Sequence, residues 1–168
     1  MYAVLSILLL AIPAPSAAFD DISSAPRART EPSQDVARQA ATAAVVYCEG
    51  LGYRTMATVV DADGRPVVAM AAGADVTAAL ASDSVRSARD AAYFGELSRD
   101  VAKDMMEKPR VFYAIHDHPQ LAPPIAGGVP LEAGGIGVAG APDGDTDEEC
   151  ARAGVADITT RPAASRAP

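Results

Sequence analysis

The chain has 168 residues, of which 49% are hydrophobic and 21% charged, a balance typical of one soluble globular domain. Its formal net charge of −8 disfavours binding to nucleic acid or to an anionic membrane surface, because both are negatively charged. Aromatic residues make up 5% and Trp is absent, so the predicted core consists mainly of Ala, Val, Leu and Ile.

The N-terminal segment has the pattern of a signal peptide. Residues 3–12 form an apolar run that is too short to span a bilayer, which needs ~20 apolar residues. Ser16 and Ala18 are small residues of the kind that a signal peptidase selects, although no Lys or Arg precedes the run. We therefore predict a signal peptide over residues 1–18 and a periplasmic or secreted protein. The alternative is a buried N-terminal helix or strand, which the two prolines after the run disfavour.

A polar, flexible leader is expected over residues 19–32, before the first predicted helix. Ser33 is a suitable N-cap for that helix, which ends at about Glu49. Residues 53–60 and 66–71 are predicted strands, and the Asp-Ala-Asp-Gly sequence between them predicts the turn of a β-hairpin.

The middle of the chain is predicted to hold two helices and a strand. Ser82 is expected to cap a second helix that ends at about Phe94, and Ser98 is expected to cap a shorter third helix. Residues 110–115 alternate between larger apolar and other side chains, which predicts a strand.

The last third is rich in Gly and predicts a second hairpin, with strands over residues 126–131 and 136–139. Thr146, with a glutamate three residues later, forms a capping box for a final helix that ends at about Ile158. Residues 159–168 are expected to be a disordered tail. This order of elements predicts an α+β fold with an antiparallel sheet.

The two cysteines, Cys48 and Cys150, both lie in predicted helices. They could form one disulfide in an oxidising compartment, or each could be a separate small buried residue. Their spacing does not match a zinc site, because no CxxC pair is present in the sequence.

Three segments together resemble one known family: VVDADGRPVVA (59–69), AAYF (91–94) and GGVPLEAGGIGVAGAPDGDTDEECARAGVADI (127–158). The third is the most specific, because it joins a Gly-Gly-x-Pro strand to an Ile-Gly-Val-x-Gly strand and to an Asp-led helix. The resemblance is to the GlcG/HbpS family of haem-binding proteins, and it covers residues 33–158.

The resemblance implies a profilin-like fold, in which a five-stranded antiparallel sheet is flanked by helices, and assembly into homo-oligomers. It also implies that the first and last helices lie together, which favours a disulfide between Cys48 and Cys150. Haem is the cofactor that it implies.

The candidate ligands of a metal or of haem iron are the two histidines of the sequence His116-Asp117-His118. At positions i and i+2 of a strand both imidazoles would face the same side, so they could jointly bind a transition metal, or one could be an axial haem ligand. Tyr113, near the same predicted strand end, is a third candidate. The alternative is an exposed turn with no ligand.

The candidate partners of haem propionates are Arg86 and Arg89, whose guanidinium groups can bind carboxylates. Gly127 and Gly128 offer backbone that a flat ligand can approach closely. The alternatives are solvated surface arginines, and glycines needed only for a positive φ at a strand entry.

The sequence contains no nucleophile elbow, no HExxH and no phosphate-binding loop, so hydrolase and kinase functions are disfavoured. We predict an exported protein that binds haem or a related tetrapyrrole, with haem degradation or iron handling implied by the family alone. The alternatives are a binder or enzyme of a small organic acid linked to glycolate-type metabolism, and an assembly protein without a ligand. Whether the chain is an enzyme stays open.

Overall fold

The structure is a computed structural model that describes residues 32–73, 76–118, 121 and 123–161. The predicted signal peptide, the leader up to residue 31 and the tail from residue 162 lie outside the described residues. The elements in chain order are α1 (Gln34–Gly50), β1 (Met56–Asp61), β2 (Pro66–Ala71), α2 (Ala78–Phe94), α3 (Ser98–Glu107), α4 (Pro109–Asp117), β3 (Gly128–Leu131), β4 (Gly134–Ala139) and α5 (Gly144–Thr160). The described part is therefore an α+β fold with five helices and one four-stranded sheet.

The sheet has the strand order β2-β1-β4-β3, and all three neighbouring pairs are antiparallel. Both predicted hairpins are confirmed, and β1 and β4 join them at the centre of the sheet. Helices α1 and α5 pack on one face of the sheet and on each other, whereas α2 packs on the opposite face. None of the helices in the described ranges is long and apolar enough to cross a membrane.

The prediction of a strand over residues 110–115 was wrong, and the sheet has four strands rather than five because this segment forms α4. Pro109 occupies the first turn of the helix, where its missing N–H is not needed. Val111 and Ile115 are buried while Tyr113 is exposed, which is the i, i+4 spacing of a helix and not the alternation of a strand.

Three predicted helix starts are corrected. Thr77 caps α2, which begins at Ala78 and not after Ser82, because the Thr77 hydroxyl accepts a hydrogen bond from the Leu80 N–H. Asp143 caps α5 in place of Thr146, since its Oδ1 accepts the Thr146 N–H at 2.8 Å.

The third correction concerns α3, where Ser98 is the first residue and not the cap. Its hydroxyl is hydrogen-bonded outside the helix, to the N–H of Gly128 at 2.8 Å. The ends of α2 and of the first helix lie close to their predicted positions, whereas α5 continues to Thr160, two residues past the predicted end.

The main hydrophobic core lies between the sheet and the pair α1 and α5, and it is built chiefly from Ala and Val. Its members from the helices and strands include Ala40, Ala44, Val59, Ile136, Val138 and Ala151. A smaller second core lies between α3 and α4, with Val101, Val111, Ile115 and Leu121 buried in it. Small side chains let α1 and α5 approach closely, so that a Cβ on Gly154 would lie 2.5 Å from the Ala40 carbonyl oxygen.

A disulfide between Cys48 and Cys150 joins α1 to α5, with the two Cα atoms 5.6 Å apart. Both cysteines are fully buried in the main core. The pairing that the family resemblance implied is therefore present.

Helix α2 packs on a sheet face on which β3 and β4 present glycines. Cβ atoms added to Gly128, Gly135 and Gly137 would lie 2.0 to 2.4 Å from carbonyl oxygens of α2. The glycines thus allow the helix backbone to rest directly on the sheet.

Candidate functional site

The predicted histidines lie at the end of α4 and face different neighbours. Successive helix positions rotate by about 100°, so residues i and i+2 point to nearly opposite sides. The His116 ring is parallel to Phe112 at a centroid distance of 6.5 Å, whereas the His118 ring contacts Tyr93 of α2 at 5.1 Å. The prediction that both histidines bind one metal ion assumed a strand, on which the two imidazoles would face the same side. The segment is a helix instead, so this assumption does not hold.

Within the described ranges, no group of three or more His, Cys, Asp or Glu side chains is placed to hold a metal ion. Each histidine is left as a separate candidate for single axial ligation.

We use the name aromatic–histidine surface for Tyr93, Phe112, Tyr113, His116 and His118. The first three have exposed fractions of 47%, 53% and 61%, so they form a patch of exposed aromatic rings. The rings of Phe112 and Tyr113 also contact each other edge to face, at 5.7 Å. The chain therefore presents exposed rings together with two imidazoles at the junction of α2 and α4.

The imidazole of His116 is exposed, and its described contact is the stacked Phe112 ring. Tyr113 lies one helical turn before it and exposes its phenol ring. Imidazole nitrogens and phenolate oxygens are both ligands of haem iron in proteins. The surface therefore combines apolar area with donor atoms that can bind iron.

The structure does not bring Arg86 and Arg89 to this surface as free cations, because both already have partners in the protein. Arg86 forms an ion pair with Asp83 at 3.1 Å. The Nε of Arg89 donates to the carbonyl oxygen of Gly64, in the turn between β1 and β2, at 2.8 Å. Their described contacts stabilise α2 and its packing on the first hairpin.

Gly127 and Gly128 are explained by packing within the protein. Gly127 has φ of 110°, and its carbonyl oxygen accepts the Val138 N–H at 2.9 Å. A Cβ on Gly128 would lie 2.0 Å from the Ser87 carbonyl oxygen, so α2 itself occupies the space beside this glycine. That side of Gly128 is filled by the helix rather than open to a flat ligand.

Sequence reasoning missed Asp90, which is fully buried on α2. Neither of its carboxylate oxygens has a hydrogen bond of good geometry to any described residue. Burial raises its pKa to about 7, although the Arg86 charge and the Ile125 backbone N–H both act to lower the pKa. Asp90 is three residues after buried Ser87, so helical spacing could have placed it on the buried face.

A groove of about 610 Å³ lies elsewhere, between the outer sides of α1 and α5. It is lined by Asp35, Arg38, Gln39, Thr42, Ala43, Val46, Tyr47, Ala153, Asp157 and Arg161. Gln39 crosses it and donates from Nε2 to the Asp157 carboxylate at 2.8 Å. This hydrogen bond ties the end of α5 to the start of α1.

Solved structures with the same fold come from several proteins. A crystal structure of HbpS is 34% identical and has a TM-score of 0.66, with 76% of this chain and 89% of that chain covered. A double mutant of HbpS from Streptomyces reticuli is 31% identical and has a TM-score of 0.67, with 88% and 97% covered. The PduOC:heme complex, at 18% identity and a TM-score of 0.62, covers 74% and 92% and shows likeness of fold alone.

No match was found among curated proteins. A family model described as haem degrading protein HbpS-like matches residues 33–156, which include every described helix and strand except the last turn of α5. The match spans most of the sequence, and the identity to HbpS agrees with it. The chain therefore belongs to the HbpS-like family.

Proposed function

We propose that this chain binds haem, and that the aromatic–histidine surface is where it binds. The family membership supports a haem-related function, and the fold is shared with a neighbour whose structure contains haem. The observation that carries the location is the coincidence of exposed aromatic rings with imidazoles at the end of α4.

The chemistry of the surface fits such a group. Haem is a flat, largely apolar ring, so it is stabilised by contact with apolar and aromatic side chains that would otherwise be in water. His116 is our first choice for the axial ligand because its imidazole is exposed, and Tyr113 and His118 are the other two candidates. Bound haem would supply a redox-active iron, whose potential depends on that axial ligand.

The binding test is titration of the purified protein with hemin, followed in the Soret region. We expect a shifted and saturable Soret band for the unmodified chain. His116→Ala should weaken binding at least tenfold, which is about 1.4 kcal/mol, and His116→Ala with His118→Ala should weaken it further. Tyr47→Ala is the control, because Tyr47 is a partly exposed ring on α1, outside the surface.

A double histidine variant that keeps the wild-type Soret band and affinity would overturn the proposed location. Absence of any hemin-dependent band in the unmodified chain would overturn haem binding itself. Far-ultraviolet circular dichroism of each variant separates loss of the ligand from loss of the fold.

A second question is whether the protein also degrades haem, because the family description names haem degradation. We propose binding as the primary function. Among the described residues, the aromatic–histidine surface offers side chains that can bind iron, but we identify no acid–base group beside them. Incubation of the hemin-loaded protein with a reductant and oxygen tests this. Loss of the Soret band with release of iron, absent in the His116→Ala variant, would establish degradation.

We also propose that the chain is exported to the periplasm or secreted, and that it forms homo-oligomers. The apolar run at residues 3–12 and the disulfide both support export, because disulfides persist in oxidising compartments. Cell fractionation and N-terminal sequencing of the mature protein test the first proposal, with cleavage expected after Ala18. Light scattering tests the second, and a single protomer mass at micromolar concentration would contradict it.

A further inference from the structure

Asp90 lies beneath the segment that leads into β3, and that segment is held tightly. On its inner side Gly128 donates to the Ser98 hydroxyl and lies against the Ser87 carbonyl. On its outer side Ala126 contacts the start of α5, where a Cβ on Gly144 would lie 2.4 Å from the Ala126 Cβ. The segment 125–128 thus lies between α2, α3 and α5 with Gly127 and Gly128 buried, and the Asp90 side chain has no exposed surface.

Ionisation of Asp90 at this position is costly, because the charge would form away from water and without a described hydrogen bond of good geometry, although the Ile125 backbone N–H acts to favour the anion. Arg86 is the described charged group that acts on Asp90, but its buried Nε donates to no described acceptor, and its Nη2 is paired with Asp83. The neutral acid therefore fits the closed packing better than the anion does.

The other charged groups around this region belong to neighbouring elements. Arg99 of α3 is paired with Asp145 and Glu148, and Asp147 of α5 accepts the Ala141 N–H at 2.9 Å. The described contacts of the sheet with α2 are uncharged, being made by Thr58, Gly128, Gly135 and Gly137.

We propose that Asp90 is a proton-controlled latch: its neutral form keeps the segment 125–128 closed on α2, and its anion favours an open form that admits water. Arg86 moderates the latch, because its charge favours the anion. This inference does not depend on haem binding.

The pH range of the opening follows from linkage. The pKa of Asp90 is about 7 in the closed form and 3.8 for a solvated carboxyl, so the closed form binds the proton more tightly. Closure is therefore fully stabilised below pH 3.8, weakens as the pH rises, and reaches a plateau above pH 7. Opening should increase about tenfold per pH unit between those limits, or about a thousandfold in all.

The experiment is amide hydrogen exchange of the full chain at several pH values from 5 to 8, normalised to the intrinsic exchange rates. Protection of the amides of Ile125, Ala126, Gly127 and Gly128 should fall about fiftyfold from pH 5 to pH 7 and then level off. In Asp90→Asn, which removes the titration, protection should not depend on pH. Glu96→Gln, which changes an exposed acid just after α2, should behave like the wild type.

Asp147 is the competing explanation, because burial raises its pKa to about 6 and its Cβ lies near Gly127. If Asp147→Asn abolishes the pH dependence while Asp90→Asn retains it, the latch belongs to Asp147 and our assignment is wrong. Unchanged protection across the pH range in the wild type would also overturn it. A carbon-13 titration of the Asp90 carboxyl in the wild type gives a result even if Asp90→Asn does not fold, and a midpoint near 4 would refute the proposal.

Discussion

Replacing Gly137 with Ala tests whether the helix α2 really rests on the sheet backbone. Gly137 lies in β4 between Thr58 of β1 and Gly128 of β3. An added Cβ would lie 2.1 Å from the Ser84 carbonyl oxygen and 2.5 Å from the Ala88 nitrogen. Both of these atoms belong to the helix backbone, so rotation of a side chain cannot relieve the contact.

The expected cost follows from the displacement that this contact demands. Carbon and oxygen atoms at 2.1 Å must separate by about 1 Å, so α2 has to move as a unit against its other contacts with the sheet. Overpacking a close-packed interior by one methyl group commonly costs about 1–3 kcal/mol, and the backbone contacts place Gly137→Ala at the upper end, about 3 kcal/mol.

The assay is equilibrium unfolding in guanidinium chloride with linear extrapolation. Gly50→Ala is the matched control, because a Cβ on Gly50, the last residue of α1, would have no atom within 4 Å. It should leave the free energy of unfolding unchanged or raise it by up to about 1 kcal/mol. A Gly137→Ala variant within 0.5 kcal/mol of the wild type, on the order of ordinary surface substitutions, would refute the packing argument.

Two further predictions concern the helix α5. Replacing both Cys48 and Cys150 with Ala should lower the free energy of unfolding by about 4–5 kcal/mol, since the disulfide links positions 102 residues apart. Chemical denaturation of this variant beside Met106→Ala, a control at an exposed position of α3, measures the change, and a loss below about 1 kcal/mol would contradict the chain-entropy account. Asp143→Ala should lower the free energy of unfolding by about 1 kcal/mol through loss of the N-cap, whereas Thr146→Ala should lower it by less than about 0.5 kcal/mol. The same unfolding assay compares the two variants, and a larger loss for Thr146→Ala would show that Thr146 is the cap.

Local sequence patterns were sufficient for the parts of the fold that local chemistry determines. The first hairpin follows from its Asp-Gly turn, where the Asp61 carboxylate accepts the N–H groups of Asp63 and Arg65. The second follows from glycine at a tight connection, and α1 follows from Ser33 and the Ala-rich face behind it. The pairing of β1 with β4 joins segments far apart in sequence, and no local pattern predicts it.

The segment containing Val111, Tyr113 and Ile115 shows why the rest was harder. Over six residues, burial of Val111 and Ile115 satisfies both an alternating and a helical pattern, so the exposure of Tyr113 decides between them only in three dimensions. The consequence for the site was large, because His116 and His118 share a face on a strand but not on a helix. Asp90 was missed because charged side chains are usually exposed, although its helical spacing from Ser87 places it on the buried face of α2.

The covalent link between the first and last helices has a consequence for how the domain responds to proteolysis. Any single peptide bond cut between residues 49 and 149 would leave two fragments still joined through Cys48 and Cys150. The main core, to which α1, the sheet and α5 all contribute, would then be held together after the cut. A nicked molecule could retain its shape until the bridge is reduced, so a reducing agent and a protease would have to act together to take the domain apart.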